Sequence, residues 1–193
     1  MYRKFTRMRS TFARPADATA YAAGDEISSS ATAGSVVLAT FDLTGFTRGR
    51  VLAAGIDVTA TSGNVVTTAS DLELLIFKTP DVPAAVGDNV TLPLAAAVRA
   101  LAVAGFRFDD TGWTGPLGTV AAGTSQIQQV GAHVVQPLAA NVPQYPWPAG
   151  FPFDFTGQLL AQRSLTVVMR ALAAWTPLGV INTFGITLDL EVG

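Results

Sequence analysis

The sequence predicts an all-β domain, an antiparallel two-sheet sandwich or a barrel. Three observations lead there. Residues 184–193 alternate cleanly, with Phe184, Ile186, Leu188, Leu190 and Val192 on one face and Thr187, Asp189 and Glu191 on the other. Such period-2 alternation marks a half-buried antiparallel strand. Upstream lies a series of short apolar or β-branched runs, each ended by Gly, Ser, Asn, Asp or Pro. Strands do not alternate with helices as a parallel sheet would require, and no repeat recurs at a fixed period.

In chain order, residues 35–43 and 49–63 are β-branched or apolar runs closed by turn residues. Residues 70–78 place Leu72, Leu74 and Ile76 on one face. The following stretch, 78–89, carries Pro80, Pro83 and Gly87 and is expected to be an exposed connection. Residues 94–101 are rich in alanine, the best helix former, and suit a short helix. Residues 99–108 and 125–137 read as two further strands, with Gly105 and Gly131 marking bulges or close backbone approach. Residues 164–175 fit both periods. Leu165, Val168, Met169 and Leu172 have helical spacing, while Leu165, Val167, Met169 and Ala171 alternate. The neighbouring strands favour a strand, ended by Pro177.

Composition removes most chemistries. The chain has 193 residues, 49% apolar and only 13% charged, about half the usual charged share. It contains no cysteine, so disulfides, thiolate zinc sites and cysteine nucleophiles are excluded. One histidine, His133, cannot build a multi-histidine metal site. It lies in an expected strand and is read as a packed or rim residue. No nucleotide-binding loop, nucleophile elbow or calcium-loop spacing occurs. Asp109 and Asp110 fit a turn before Trp113. A glycosidase would need two carboxylates converging in a cleft, and nothing in the sequence shows that convergence. The sequon at Asn89 is a short match with no secretory signal beside it. Neither an enzyme nor a cofactor or metal protein is therefore expected. A formal charge of −2 argues against nucleic-acid binding, and no stretch qualifies as a membrane span.

The charge is uneven. Arg3, Lys4, Arg7, Arg9 and Arg14 precede the first acid, Asp17. Residues 1–16 thus read as a basic arm before an acidic sandwich domain, 17–193. The arm has no apolar core of the kind a signal peptide needs. With no local acids, it is expected to be extended and mobile. It then either frays in solvent or anchors to an acidic partner surface. Phe5, Met8 and Phe12 are interleaved with the arginines, spaced three then four, so a short amphipathic helix on docking also fits. Arginine clamps carboxylates bidentately, which suits a protein interface. A second notable segment is 141–155, where Tyr145, Trp147, Phe151, Phe153 and Phe155 sit among four prolines. So aromatic a loop either folds onto its own core or forms a contact between subunits.

Two segments carry a resemblance. Phe12, Arg14, Pro15, Ala16, Asp17, Tyr21, Ala22, Gly24 and Asp25 spell F-x-R-P-A-D-x-x-x-Y-A-x-G-D. Residues 173–177 read A-A-W-T-P, and 183–192 read T-F-x-I-T-L-x-L-E-V. Together they resemble tailed-bacteriophage structural proteins at both ends, about a quarter of the chain. The resemblance implies a jelly-roll capsid decoration (cement) protein. Such a protein would bind the major capsid protein between capsomers, on the outer surface of the head, as a homotrimer. On that reading Arg3, Lys4, Phe5, Arg7, Met8, Arg9, Phe12 and Arg14 contact the capsid, and Tyr145, Trp147, Phe151 and Phe153 form the subunit contact. The competing readings are a tail or baseplate component and a β-sandwich that binds host glycans through Tyr145 and Trp147.

Overall fold

The C-terminal alternation builds the strand around which the first sheet forms. In the computed structural model, which describes residues 3–60, 71–108, 125–130, 133–134, 150–177 and 182–193, this strand is β10 (Asn182–Val192). It lies between β1 (Lys4–Ala13) and β3 (Arg48–Ala60). On its far side β3 also pairs with β6 (Ser125–Val130) and β8 (Phe151–Asp154). The second sheet has the order β2 (Ala39–Asp42), β9 (Ser164–Ala171), β4 (Leu72–Lys78), β5 (Ala104–Phe108), β7 (His133–Val134). All these pairings are antiparallel.

The pairings are nested. β1 pairs with β10, β2 with β9, β3 with β8, and β4 with β5. Along each arm of this long hairpin, successive strands switch from one sheet to the other. A hairpin wound in this way around a sandwich is a jelly roll. Two separate sheets replace the barrel alternative.

Inward-facing side chains of the two sheets form one core. It joins Phe12, Phe184, Ile186, Leu188, Leu190, Val51, Ile56 and Phe153 to Leu72, Leu74, Ile76, Phe106, Leu165, Val167 and Met169. β4 and β9 are buried on both faces, which explains the mixed periodicity of residues 164–175. The outer face of β4 and β9 presents Leu75, Phe77 and Val168, and these pack with Leu92 and Ala102. A short helix, α1 (Ala96–Arg99), lies where alanine content places it.

Several expectations are corrected. The 78–89 connection is not simply exposed, because Val82 and Val86 pack against the second cluster and Asp88 is buried. Residues 99–103 belong to α1 and its turn, so the strand begins only at Ala104. Gly105 lies opposite Leu75 in unbroken register. Register shifts lie elsewhere: in β3, where the partners of Asp189 and Leu190 are Ala53 and Val51, leaving Leu52 extra, and in β6, where the partners of Val58 and Thr59 are Ile127 and Ser125, leaving Gln126 extra. Residues 125–137 are not one strand: β6 and β7 lie in different sheets. Gly131 is outside the described residues.

The largest correction concerns the basic arm. It is extended, but Lys4–Ala13 is a strand in register with Val192–Thr183, not a mobile segment outside the domain. The boundary at residue 16 therefore does not separate arm from sandwich. Its side chains alternate at period 2, with Thr6, Met8, Ser10 and Phe12 turned inward and Phe5, Arg7, Arg9 and Thr11 outward. This places Phe5 on the opposite face from Met8 and Phe12, and no amphipathic helix forms.

Candidate interaction face

The arginines of β1 do find acids, supplied by strands remote in sequence. Arg7 Nε and Nη2 donate to the two carboxylate oxygens of Asp189, at 2.6 and 2.9 Å. Arg9 Nε and Nη2 donate likewise to Asp57, at 3.2 and 2.7 Å. Arg3 Nη1 lies 3.1 Å from Glu191 Oε1. These pairs form a row across the outer face of the first sheet. Exposed ion pairs contribute only about 0–1 kcal/mol each, so the row sets charge arrangement more than stability.

Arg9 reaches Asp57 by crossing β10 at Gly185. A Cβ there would lie 2.6 Å from Asp57 Oδ2 and still closer to Arg9 Nη2. Gly49 has a different task. It lies opposite Phe153 in β8, and a Cβ on it would come within 2.6 Å of that ring and closer still to the Glu191 carbonyl oxygen. The two glycines predict different outcomes. At Gly185 the obstructing atoms are the tips of flexible side chains, so Gly185→Ala should cost no more than about 1 kcal/mol. At Gly49 backbone must move, and Gly49→Ala should cost about 1–3 kcal/mol as an overpacked site. Urea denaturation of both variants checks the order, and equal losses would contradict it.

Phe5 stands out on this face at 70% exposed. A shallow groove of about 400 Å³ runs beside it, lined by Thr6, Arg7, Leu52, Asp189 and Leu190. Nearby, a wider cleft of about 700 Å³ is bordered by Arg3, Arg48, Arg50, Asp154 and Glu191 over the Phe153 ring.

The expected contact residues therefore divide. Arg3, Lys4, Phe5, Arg7 and Arg9 are exposed. Met8 is half-buried against the core, and Phe12 is inside it, stacked on Phe184 at 5.5 Å. Arg14 is fully buried. Neither Phe12 nor Arg14 can therefore contact a capsid. Phe153 is likewise part of the core, and Phe151 meets Phe106 edge-on at 5.7 Å, so Phe153 offers no surface for a subunit contact. Tyr145 and Trp147 lie outside the described residues, as do Asp109, Asp110 and Trp113. His133 pairs through its backbone with Arg107 in β5.

Arg14 organises a buried corner. Its Nε donates to the Tyr21 hydroxyl at 2.5 Å, and its Nη2 donates to the Asp17 carbonyl oxygen and carboxylate at 2.9 and 3.0 Å. The Tyr21 hydroxyl donates in turn to Asp88 Oδ1 at 2.6 Å, which also accepts the Ser28 N–H. Asp88 Oδ2 lies 3.4 Å from Arg14 Nε. The guanidinium also lies over the rings of Tyr21 and Trp175, which stack on each other at 5.0 Å. Sequence reading did not pair Asp88 or Trp175 with Arg14. The only signal was the resemblance pattern, which contains Arg14, Asp17, Tyr21 and Trp175 but not Asp88.

Burial pushes the Asp88 carboxyl above its ordinary range, against the Tyr21 and Ser28 hydrogen bonds and the Arg14 charge. Burial likewise raises Glu26, whose Oε2 accepts the Val86 and Gly87 N–H groups. A raised carboxyl favours the folded state most below its unfolded value. That contribution is lost as pH climbs through the folded value. Unfolding free energy measured from about pH 4 to 7 should therefore fall less in Glu26→Gln than in the parent. An unchanged slope would contradict this.

On the second sheet, the buried Glu73 accepts hydrogen bonds from Arg99 and from Arg170. Among the described residues no group of three or more His, Asp or Glu side chains is placed to hold a metal ion, and no helix is long and apolar enough to cross a membrane.

The chain matches no family model, and no curated protein matches it. The solved structures to which it is similar include three viral ones. The first is a semi-empty VLP of the giant freshwater prawn Macrobrachium rosenbergii nodavirus, at 12% identity over 99% of this chain and 94% of that one, with a TM-score of 0.30. Turnip Yellow Mosaic Virus follows at 11%, covering 98% and 94%, with a TM-score of 0.22. The infectious bursal disease virus VP2 subviral particle shows 11% identity, 98% and 41% coverage and a TM-score of 0.24. These superpositions are loose, and the jelly-roll assignment rests on the strand order instead.

Proposed function

We propose that the chain is a virion structural protein, a capsid decoration protein that binds the outer surface of a phage head between capsomers and stabilises the shell. One observation carries this reading. The two segments that resemble tailed-phage structural proteins meet in space and build one corner of the sandwich. Phe12 stacks on Phe184, and Tyr21 stacks on Trp175 and exchanges backbone hydrogen bonds with it. Arg14, Asp17 and Tyr21 form one hydrogen-bonded set. Residues stacked and hydrogen-bonded in this way specify a shape, and a decoration protein needs a rigid block with protein-facing surface. The major capsid protein is the partner on this reading, and a homotrimer is the assembly, since closed symmetric oligomers are the common case.

Electron microscopy of the virion tests the proposal. The sandwich should be seen on the outside of the head, between capsomers, at threefold clusters. Density on the tail or baseplate would replace the reading with a tail component. Absence from the virion, with glycan binding by the isolated chain, would replace it with a carbohydrate-binding domain.

A further inference from the structure

We propose that the layer covering the outside of the second sheet is a contact surface for a second copy of the chain, packed on the same layer of its neighbour. This goes beyond the decoration reading, because a contact between like faces is two-fold and pairs chains, whereas that reading assembles them in threes.

Two segments build the layer. Residues 29–38 and 82–102 lie over β4 and β9, where Leu38, Val82, Val86 and Leu94 pack on the cluster of Leu75 and Phe77. The segments are fastened side by side. The Asp88 N–H donates to the Ser30 carbonyl oxygen at 2.7 Å. Gly87, at φ +110°, brings its backbone so close to Ala31 that a Cβ would lie 2.7 Å from that carbonyl oxygen. The buried Glu26 carboxylate accepts the Val86 and Gly87 N–H groups. The surface is thus formed in advance, which spares a partner the cost of ordering it.

Its charge sets it apart. Residues 29–41 contain no charged side chain, and the one charge within 82–98, Asp88, is buried. Val37, Val90 and Leu101 stand out of the layer at 66%, 43% and 50% exposed. Apolar side chains on a surface depleted of charge are characteristic of the buried centre of an interface. The outer face of the first sheet is the opposite, with Arg3, Arg7 and Arg9 paired to Glu191, Asp189 and Asp57. Charge matching selects between these two faces as occupant. Packed on the first-sheet face of a neighbour, the layer would strip water from those ion pairs and give them no new partner. Packed on its own counterpart, it desolvates no exposed charge and sets apolar side chains against apolar side chains. Like therefore meets like.

Native mass spectrometry of the free full chain at tens of micromolar tests this without any phage head. The parent should form dimers, or hexamers where trimers also form. Leu101→Glu and Val37→Glu should each weaken the pairing about thirtyfold or more, as an unpaired charge in a contact does. Phe5→Glu, on the other face, should leave it intact. Both cap positions are exposed, so the variants should keep the parent's thermal midpoint. The chain has no cysteine, so Leu101→Cys supplies a single thiol, and its maleimide labelling should slow as chain concentration rises. A parent that stays monomeric, an assembly that the cap substitutions leave unchanged, or labelling independent of concentration would each overturn the proposal while leaving the decoration reading standing. A trimer lost in the cap variants would mean that unlike faces meet, and the pairing of like faces fails. A monomer whose binding to undecorated heads is lost in Leu101→Glu would make the capsid protein the occupant, and the proposal fails likewise.

Discussion

Arg14→Ala is expected to lower folding stability by about 3–5 kcal/mol, the usual loss when one member of a buried ion pair is removed. The guanidinium is wholly enclosed, and three acceptors depend on it. Without it, Asp88 is left in the interior with its Oδ2 facing no cation, and the stacked Tyr21 and Trp175 rings lose the charge above them. Arg14→Lys should recover little, because a single ammonium cannot reproduce the planar fork that reaches Tyr21 and Asp17 together. A second substitution separates charge from packing. In the Arg14→Ala background, Asp88→Asn should return part of the loss by removing the orphaned carboxylate. Guanidinium denaturation of the four proteins measures this. A midpoint for Arg14→Ala within experimental scatter of the parent would show that the corner is not a stabilising element.

Phe184→Ala should cost about as much, 3–5 kcal/mol by the usual range for a buried aromatic. Phe184 lies almost completely inside the core and stacks on Phe12 with the rings 18° from parallel. The lost ring leaves a cavity between β1 and β10, where strands on both sides limit collapse. A double-mutant cycle with Phe12→Ala should give a coupling of about 0.5–1.5 kcal/mol for the aromatic pair. Additive losses would mean that the two rings merely share a core.

β10 was legible because one face is wet and the other dry, so its alternation survives in the letters. β9 was harder, since both of its faces are covered and apolar Val168 stands where a strand with one wet face would carry a polar residue. The basic segment misled for a different reason. Its positive charges look unpaired over any local window, yet Arg7 meets Asp189 across 182 residues and Arg9 meets Asp57 across 48. The same distance hid the Arg14–Asp88 contact. Phe153 looked like a candidate for an external surface among its prolines. It turned inward because the facing position, Gly49, has no side chain and leaves a space that the ring fills. Pattern within a segment was readable; complementarity between segments was not.

The nesting of strand pairs also fixes an order of events. β4 and β5 can meet early, but β1 has no partner until β10 exists. At translation speeds of about 5–20 residues per second, β1 emerges roughly 10–35 s before its partner. Throughout that interval Met8 and Phe12 lack their own core and both edges of the strand are open. Closure of the first sheet therefore waits until β10 has been made, and the nascent chain is most exposed to misassociation through the same strand that the finished fold leaves at its rim.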